Sequence, residues 1–531
     1  MSVSTTASRV AGFVRTWAMA VALGVTLTSK GAIPVASSFN ISNNIPNMIY
    51  ELLAGGVLSA MLIPIYMERL KRDGREGAFR FANILFSLVL VVLGLVALLG
   101  TLWPQPFVLT QTFTVSREKA ELAVYLFRFF AVQIVFYGWC AVATGVLNSH
   151  RHFFASAIAP LVNNIVVIVA LLGFYVPLRD TRPDLALVAL GVGTTSGVVA
   201  LLVTQLPALF KLGFRPRWIM ELKDPSVRKL GRKMLPILGY VVVNIVGVSF
   251  RNAYATKAFL DGSAALTYAW LWYQLPYGIF AVALITALFP ELSSMAHDED
   301  WRGFKATFAK GLRVMSLLIL PLAGTLIALS VPLVKLFRFG KFPEAAVPLV
   351  AGILVAWAAG LFSFCAYMLV LRAFYATQDS KTPMITNFFV HVLQIGLYAL
   401  LTSAAAWGQW RLLGIPAADA ICFSLHVVVL VIILRKRIGP FDGRRILSTV
   451  ARVLVATATG AGLAYAIVAL TPSLGASRFG FLAQLLVGGV VGLAASYGLA
   501  AAFRVPEVAD GLALLRRSAG KLVPSSGSRQ A

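Results

Sequence analysis

IPNMIYELLAGGVLSAMLIPIYMERLKRDGREGAFRFAN (residues 45–83) and LPYGIFAVALITALFPELSSMAHDEDWRGFKATFAK (residues 275–310) follow one pattern. In each, a proline enters a helix, a second proline lies near the far end of a long apolar run, and a charged gap follows. A second pair, VLNSHRHFFASAIAPLVNN from Val146 and LVLRAFYATQDSKTPMITN from Leu369, sets Pro160 over Pro383 and Asn164 over Asn387. The offset of about 223 to 230 residues corresponds to six apolar runs, so the sequence reads as two weakly similar copies. An even number of spans per copy makes the halves parallel, related by an axis along the membrane normal, with a ligand site expected between them.

Composition carries the same message. The 531 residues are 59% hydrophobic and 13% charged, against about 45–50% and about 25% in an ordinary soluble domain, and mean hydropathy is +0.82. A water-soluble globule is excluded. Lys+Arg number 46 and Asp+Glu 21, a net charge of +25. The excess falls mostly in short gaps between apolar runs, where it orients helices against an anionic leaflet, so nucleic acid is not the expected partner. Cys140, Cys365 and Cys422 each stand alone in an apolar run without metal-ligand spacing and read as small core residues. No metal or cofactor is expected.

A hydrocarbon core about 30 Å thick takes about 20 helical residues. That ruler predicts fourteen spans, near 8–28, 33–66 (broken by Pro46), 80–103, 121–146, 155–175, 184–209, 233–257, 265–293, 310–330, 346–371, 383–403, 412–434, 447–470 and 480–503. Arg9 and Arg15 interrupt the first, which is read as a span of the mature protein and not a signal peptide. Alternate gaps hold about 27 and about 9 Lys+Arg, which predicts that both termini are cytoplasmic. The expected organisation is an N-terminal six-helix bundle (1–210), a basic cytoplasmic linker (211–232), a C-terminal six-helix bundle (233–436), an extra helix pair (437–503) and a basic cytoplasmic tail (504–531). Arg516, Arg517 and Lys521 of the tail are expected to touch anionic lipid.

A charge at mid-bilayer costs about 2.5–3.5 kcal/mol, so polar residues within spans are the informative ones. Ser37, Asn40, Asn44, Asn47 and Glu51 recur at spacings of 3, 4, 3 and 4 and share one helical face. Tyr240, Asn244, Gly247, Arg251 and Tyr254 form a second stripe in span 7. One stripe per half points to a central hydrophilic cavity; the alternative is interhelical hydrogen bonding, at about 0.6 kcal/mol or somewhat more per contact. Arg15 lies deeper than Arg9, which has the option of snorkelling to the interface. Arg15 and Arg251 suit a phosphate ligand, because guanidinium binds phosphate in a fork and keeps its charge when partly buried. Glu51 reads as an ion-pair partner for Arg15 or Arg251, or as a proton-coupling group. GVGTTSG at Gly191 reads as close helix packing, and the isolated His391 and His426 as satisfied core histidines. No catalytic triad, paired carboxylates or phosphate-cradling loop emerges, which leaves translocation, not catalysis, as the class.

Several dispersed motifs then come into register. Residues 8–15 (SRVAGFVR), Ile45-Pro46-Asn47 with Gly56 and Pro64, Gly145-Val146-Leu147-Asn148 with Phe153, residues 336–342 (LFRFGKF) and residues 374–383 (FYATQDSKTP) resemble the MurJ (MviN) lipid II flippases. The resemblance spans roughly residues 8–440. It implies the multidrug/oligosaccharidyl-lipid/polysaccharide exporter fold: an all-α polytopic membrane protein of about fourteen helices, two parallel six-helix bundles plus two C-terminal helices that offer a groove for a polyprenyl tail. It also implies a bacterial cytoplasmic (inner) membrane protein that moves lipid II to the outer leaflet by alternating access, without ATP, among membrane lipids and with cell-wall synthases as partners.

Arg9 and Arg15 match the family's two first-helix arginines. Ser37 and Asn44 stand where many members have Asp and Lys, Tyr50-Glu51 where they have Arg-Arg, Trp270-Leu271 where they have Asp-Arg, and Gln274 where they have Glu. The expected headgroup site is Arg9, Arg15, Asn40, Asn44, Asn47, Glu51, Asn244, Arg251 and Gln274, with hinges at Pro46, Gly55, Gly56 and Pro276. The alternatives are an exporter of another polyprenyl-linked glycan or of small drugs, and a non-transporting scaffold for cell-wall synthesis.

Overall fold

The computed structural model describes residues 2–27, 32–52, 58–337, 340–403, 405–477 and 479–508. The described residues form helices and connections, with no strand among them. In chain order these are α1 (Ser2–Leu23), α2 (Val35–Leu52), α3 (Leu58–Leu102), α4 (Pro104–Thr112), α5 (Glu121–Ala131), α6 (Gln133–Ser149), α7 (Phe153–Val169), α8 (Val176–Leu178), α9 (Pro183–Val203), α10 (Leu206–Lys211), α11 (Pro225–Ala258), α12 (Gly262–Pro276), α13 (Val282–His297), α14 (Trp301–Ala328), α15 (Ser330–Lys335), α16 (Val347–Ala359), α17 (Leu361–Ala376), α18 (Lys381–Leu401), α19 (Gly414–Ile438), α20 (Gly443–Leu470), α21 (Pro472–Ala476) and α22 (Gly480–Ala502). Short π-helical segments join α7 to α8 (Ala170–Tyr175) and α12 to α13 (Tyr277–Ala281).

Among the described residues ten helical stretches are long and apolar enough to cross a membrane. The α16–α17 region adds an eleventh, bent by 44°. The other three expected spans are α1, α2 and α11, which carry Arg9, Arg15 and the two polar stripes; α1 contributes a shorter apolar stretch, Val10–Leu23. The total of fourteen rests on counting them.

Two expectations about boundaries change. Expected span 33–66 is two helices, α2 and the start of α3, with residues 53–57 outside the described set. Within the charged gap at 67–79 two helices meet at a kink at Gly74, whose φ of 68° suits a residue without a side chain. The first of them runs on into the gap as far as that kink, where Arg69 bonds Asp73 at 2.7 Å, one turn on.

The repeat is visible in the backbone. Arg151 (φ 61°) and Gln378 (φ 59°) each follow a helix end by two residues in the left-handed region. The next amide closes each turn, His152 N–H on Leu147 O and Asp379 N–H on Phe374 O. Gly74 and Glu299 (φ 57°) likewise mark equivalent charged gaps.

By contacts the chain divides into two units. The first comprises residues 1–268, 337–346 and 395–415. Its main core sets Leu62, Tyr66, Phe81 and Leu85 of α3 against Val142, Val146 and Leu147 of α6. Gly145 permits that approach, since a Cβ there would sit 2.3 Å from Leu62 Cδ2. Linker residues 211–232 dock on α3: Asn83 accepts from Arg217 N–H and donates to Arg215 O, Ser87 accepts from Ile219 N–H, and Arg69 pairs with Asp224. Against the upward push of burial, the Arg69 guanidinium and the Ser226 and Val227 amides hold the Asp224 carboxyl below its ordinary range. The GVGTTSG segment is a packing face: a Cβ on Gly191 would sit 2.7 Å from Phe129, and one on Gly193 2.3 Å from Ala170.

The second unit comprises residues 269–336, 347–394 and 416 onward. Buried residues of α14, including Leu317 and Leu320, pack with Val453 and Ala456 of α20 and Ala500 of α22. The extra pair α20–α22 touches through Gly460 and Gly492; a Cβ on Gly460 would fall 2.1 Å from Ser496 Oγ. Cys140, Cys365 and Cys422 are all buried thiols.

Candidate functional site

The α2 stripe does not behave as a single surface. Ser37 is fully buried; its Oγ accepts from Ala264 N–H at 2.9 Å, and its amide donates to Asp261 at 3.1 Å. Asn44 donates to Gln111 Oε1 at 3.4 Å. Asn47 accepts from the Tyr137 hydroxyl at 2.7 Å and donates to Asn43 O, while Tyr50 stacks on Tyr137 with ring centroids 4.6 Å apart. These three polar side chains tie α2 to its neighbours.

Other side chains, themselves half-buried, carry shielded atoms without such ties. Arg15 Nε, Asn40 Nδ2 and Asn43 Oδ1 are shielded from solvent and have no hydrogen-bond partner among the described residues. Two donors and one acceptor of this kind suit the oxygens and amides of a phosphorylated or glycan ligand. Leaving such groups unmatched costs about 1–3 kcal/mol each. Asn43 was missed by the sequence reading because it lies beside the stripe and not on it.

The second stripe lies in α11, which groups with the first unit although span 7 was expected to open the C-terminal bundle. Asn244 and Arg251 are half-buried there. Next to Arg251, Asn252 donates to Gln111 Oε1 at 2.6 Å, so a single amide on α4 links α11 with Asn44 of α2. Gln111 was missed because nine-residue α4 is too short for a span ruler and fell in a presumed gap. The side chains of Arg9, Tyr240 and Glu51, and residues Gly55 and Gly56, lie outside what is described; so do Arg516, Arg517 and Lys521.

Near the start of α2 the chain closes on itself. Asp261 accepts from Thr26 N–H at 2.7 Å and from Ser37 N–H, fastening the end of α1, the start of α2 and the start of α12. It lies in the turn outside the spans, and burial pushes its carboxyl up to about 6, against the opposing effect of those donors. The 336–342 motif meets the same region. Lys341 N–H bonds Val21 O at 2.9 Å, its Nζ reaches Asp180 at 2.9 Å, and Phe337 and Phe342 pack on Tyr268. Gly340 (φ 112°) and Gly24 (φ 69°) make the backbones' approach possible, each Cβ position being 2.2 Å from the opposing carbonyl oxygen.

In the second unit several polar groups are enclosed, and Asn387 Nδ2, Thr457 Oγ1 and Glu507 Oε2 are shielded without a hydrogen-bond partner among the described residues. Asp419, buried in α19, accepts from Trp357 Nε1 at 2.8 Å and Gln394 Nε2 at 2.6 Å. A lone Asp in an apolar run was a legible signal that the sequence reading passed over. His426 Nε2 meets Thr386 Oγ1 at 3.1 Å and His391 Nδ1 donates to Asn387 O at 2.9 Å, so both histidines are locally satisfied. Trp270 sits in an aromatic cluster with Tyr273, Trp357 and Phe364. Gln274 is exposed on α12, and Pro276 closes that helix where the π segment begins. Among the described residues no group of His, Cys, Asp and Glu is placed to hold a metal ion.

The family model described as lipid II flippase MurJ matches residues 28–487. A probable lipid II flippase MurJ of Rhizobium meliloti is 28% identical over 427 residues, 76% of this chain and 75% of that one. The lipid II flippase MurJ of Burkholderia cenocepacia is 29% identical over 441 residues, 81% of each. In fold, the chain is similar to a solved lipid II flippase MurJ in an inward closed conformation, with a TM-score of 0.75 at 21% identity over 93% of this chain and 97% of that one. An inward-facing multidrug resistance MATE transporter of the MOP superfamily follows at 0.66 and 14% identity, over 81% and 94%. With the model matched along most of its length, the chain belongs to the lipid II flippase MurJ family.

Proposed function

We propose that this protein is a flippase that carries lipid II, the undecaprenyl-pyrophosphate-linked peptidoglycan precursor, from the cytoplasmic to the outer leaflet by alternating access. The observation that carries this reading is the family match over residues 28–487. The physics is simple: the amphiphile's headgroup cannot cross hydrocarbon unaided, whereas its tail never leaves it. A polar path for one end and an apolar path for the other suffice.

Arg15 and Asn40, with shielded donors that nothing among the described residues engages, support a headgroup role for the α1–α2 region. In our reading Arg9, Asn44, Asn47, Glu51, Asn244, Arg251 and Gln274 complete the site, and Pro46, Gly55, Gly56 and Pro276 serve as hinges. The α20–α22 pair accommodates the tail, both termini are cytoplasmic in the bacterial inner membrane, and the functional bundles are 1–210 and 233–436. Cell-wall synthases are the proposed partners.

The test is depletion of the protein followed by an assay of which leaflet holds lipid II. Accumulation on the cytoplasmic face is expected. An unchanged distribution with normal growth would assign a different cargo, and mislocalised synthases with normal flipping would assign a scaffold role.

A further inference from the structure

The basic linker between α10 and α11 carries an apolar triplet, Trp218-Ile219-Met220. It begins at Phe214, which is buried against Phe79 and Phe86 of α3 with ring centroids 5.6 and 5.5 Å away. From there residues 214–221 run without helix along α3. Asn83 accepts from Arg217 N–H at 2.8 Å and donates to Arg215 O at 3.1 Å; one turn further along α3, Ser87 Oγ accepts from Ile219 N–H at 3.0 Å. The chain then turns back, with Glu221 on Arg80 at 2.5 Å and Asp224 on Arg69. Ile219 is therefore the tip of a strap that enters along α3 and leaves the way it came.

The tip lies at membrane depth. Ser87 stands fifteen residues before Leu102, the end of α3, which is about 22 Å of helix against a hydrocarbon core about 30 Å thick. Arg80, Asn83, Ser87, Val91 and Leu98, spaced by 3, 4, 4 and 7, share one face of α3. The strap covers the first three, and the same face continues open and apolar, with Val91 41% and Leu98 55% exposed. Non-helical backbone persists at such depth only where its polar groups are matched within the protein. Asn83 and Ser87, both buried on an otherwise apolar helix, supply that match. The bonds fall on every second residue, as in an extended chain, so Trp218 and Met220 share one side and half-buried Ile219 takes the other. Trp218 is 64% and Met220 40% exposed, one on each flank of the tip. We propose that residues 214–222 form a re-entrant strap whose Trp218 and Met220 insert among the acyl chains of the adjacent leaflet. The partner is the apolar margin of the bilayer, whatever its headgroup charge, and the inference is independent of the transport reading.

The test uses the full-length protein in phosphatidylcholine vesicles with a nitroxide on Trp218→Cys, Met220→Cys or Lys223→Cys, the unsubstituted protein giving the background from its buried native thiols. Collisions with oxygen, which dissolves in acyl chains, are compared with collisions with a water-soluble nickel chelate. The oxygen-to-chelate ratio at 218 and 220 should exceed that at exposed 223 by about ten-fold, a partition difference of about 1.4 kcal/mol. A ratio equal to that at 223 would put the strap in water, and few collisions with either reagent would put protein over it; either result overturns the proposal. Because the nitroxide replaces the indole, Trp218 is also read unlabelled. The fluorescence lost on Trp218→Phe should be smaller in dibrominated than in ordinary phosphatidylcholine, since bromine has already quenched that indole. Equal losses in the two lipids overturn the proposal as well.

Discussion

Arg151 and Gln378 turn the chain by the same left-handed step at equivalent points of the two repeats, yet the polar side chains of the two units are handled differently. In the first unit Arg15, Asn40 and Asn43 each carry a shielded atom left unmatched among the described residues, on the helices that bear the first polar stripe. In the second, Asp419 is clasped by Trp357 and Gln394, Arg313 by Glu507, and Trp270 fills an aromatic cluster, while unmatched atoms on Asn387, Thr457 and Glu507 are scattered over three helical regions. Duplication preserved the turns, which are backbone chemistry, while side chains diverged. The comparison sets a test: the headgroup role proposed for Arg15 and Asn40 against structural roles for Asp419 and the Arg313–Glu507 pair.

The largest expected effect tests that division directly. Arg15→Ala should abolish support of cell-wall synthesis in a depletion strain while protein level and membrane insertion stay normal, and Arg251→Ala should do the same. Ser37→Ala, which removes the hydroxyl that accepts from Ala264 N–H, should grow like wild type and lose only about 1–3 kcal/mol of stability. Equal growth defects at Arg15 and Ser37, or full activity in R15A, would erase the distinction between matched and unmatched polar groups.

Next in size is the buried pair of the second unit. Removing one partner of such a pair costs about 3–5 kcal/mol, because the other charge is left without compensation. Glu507→Gln should therefore lower the thermal midpoint in detergent sharply, with R313M/E507L recovering much of the loss. Transport per folded molecule should be unchanged in both. Asp419→Leu should cost about 2–4 kcal/mol, since it strands the Trp357 and Gln394 donors. If D419L instead halts transport at normal stability, the second unit holds ligand or ion chemistry after all.

How much of this was legible follows from what each feature depends on. Span positions and the repeat could be read because apolar length and proline spacing are one-dimensional. The stripe at Ser37, Asn40, Asn44 and Asn47 was visible as a shared face, but spacing cannot tell a side chain bonded across helices from one left unmatched. That depends on Tyr137, Gln111 and Ala264, which lie 67 or more residues away along the chain. The charge density at 67–79 marks a real break, at Gly74, but not that helix runs right up to it, which the Arg69–Asp73 pair at helical spacing supports. The grouping of α11 with the first unit is likewise a tertiary fact that its stripe alone does not encode.

The smallest predicted effect concerns the turn that fastens the first unit's helix ends. Burial raises Asp261 to about 6, from about 3.9 in an unfolded chain. The native state thus holds this proton more tightly than the unfolded one, so the group's contribution to stability is greatest below about pH 4, declines as pH rises toward about 6, and is flat above. Across that window the change is on the order of 2–3 kcal/mol. Thermal midpoints of wild type and Asp261→Asn, measured at pH 4.5, 5.5 and 7.5, should differ in slope: the wild type gains more on acidification, because the amide has no proton to take up. Parallel profiles would mean that the ionised carboxylate is fully compensated by Thr26 and Ser37, and the tie among α1, α2 and α12 would then be insensitive to pH.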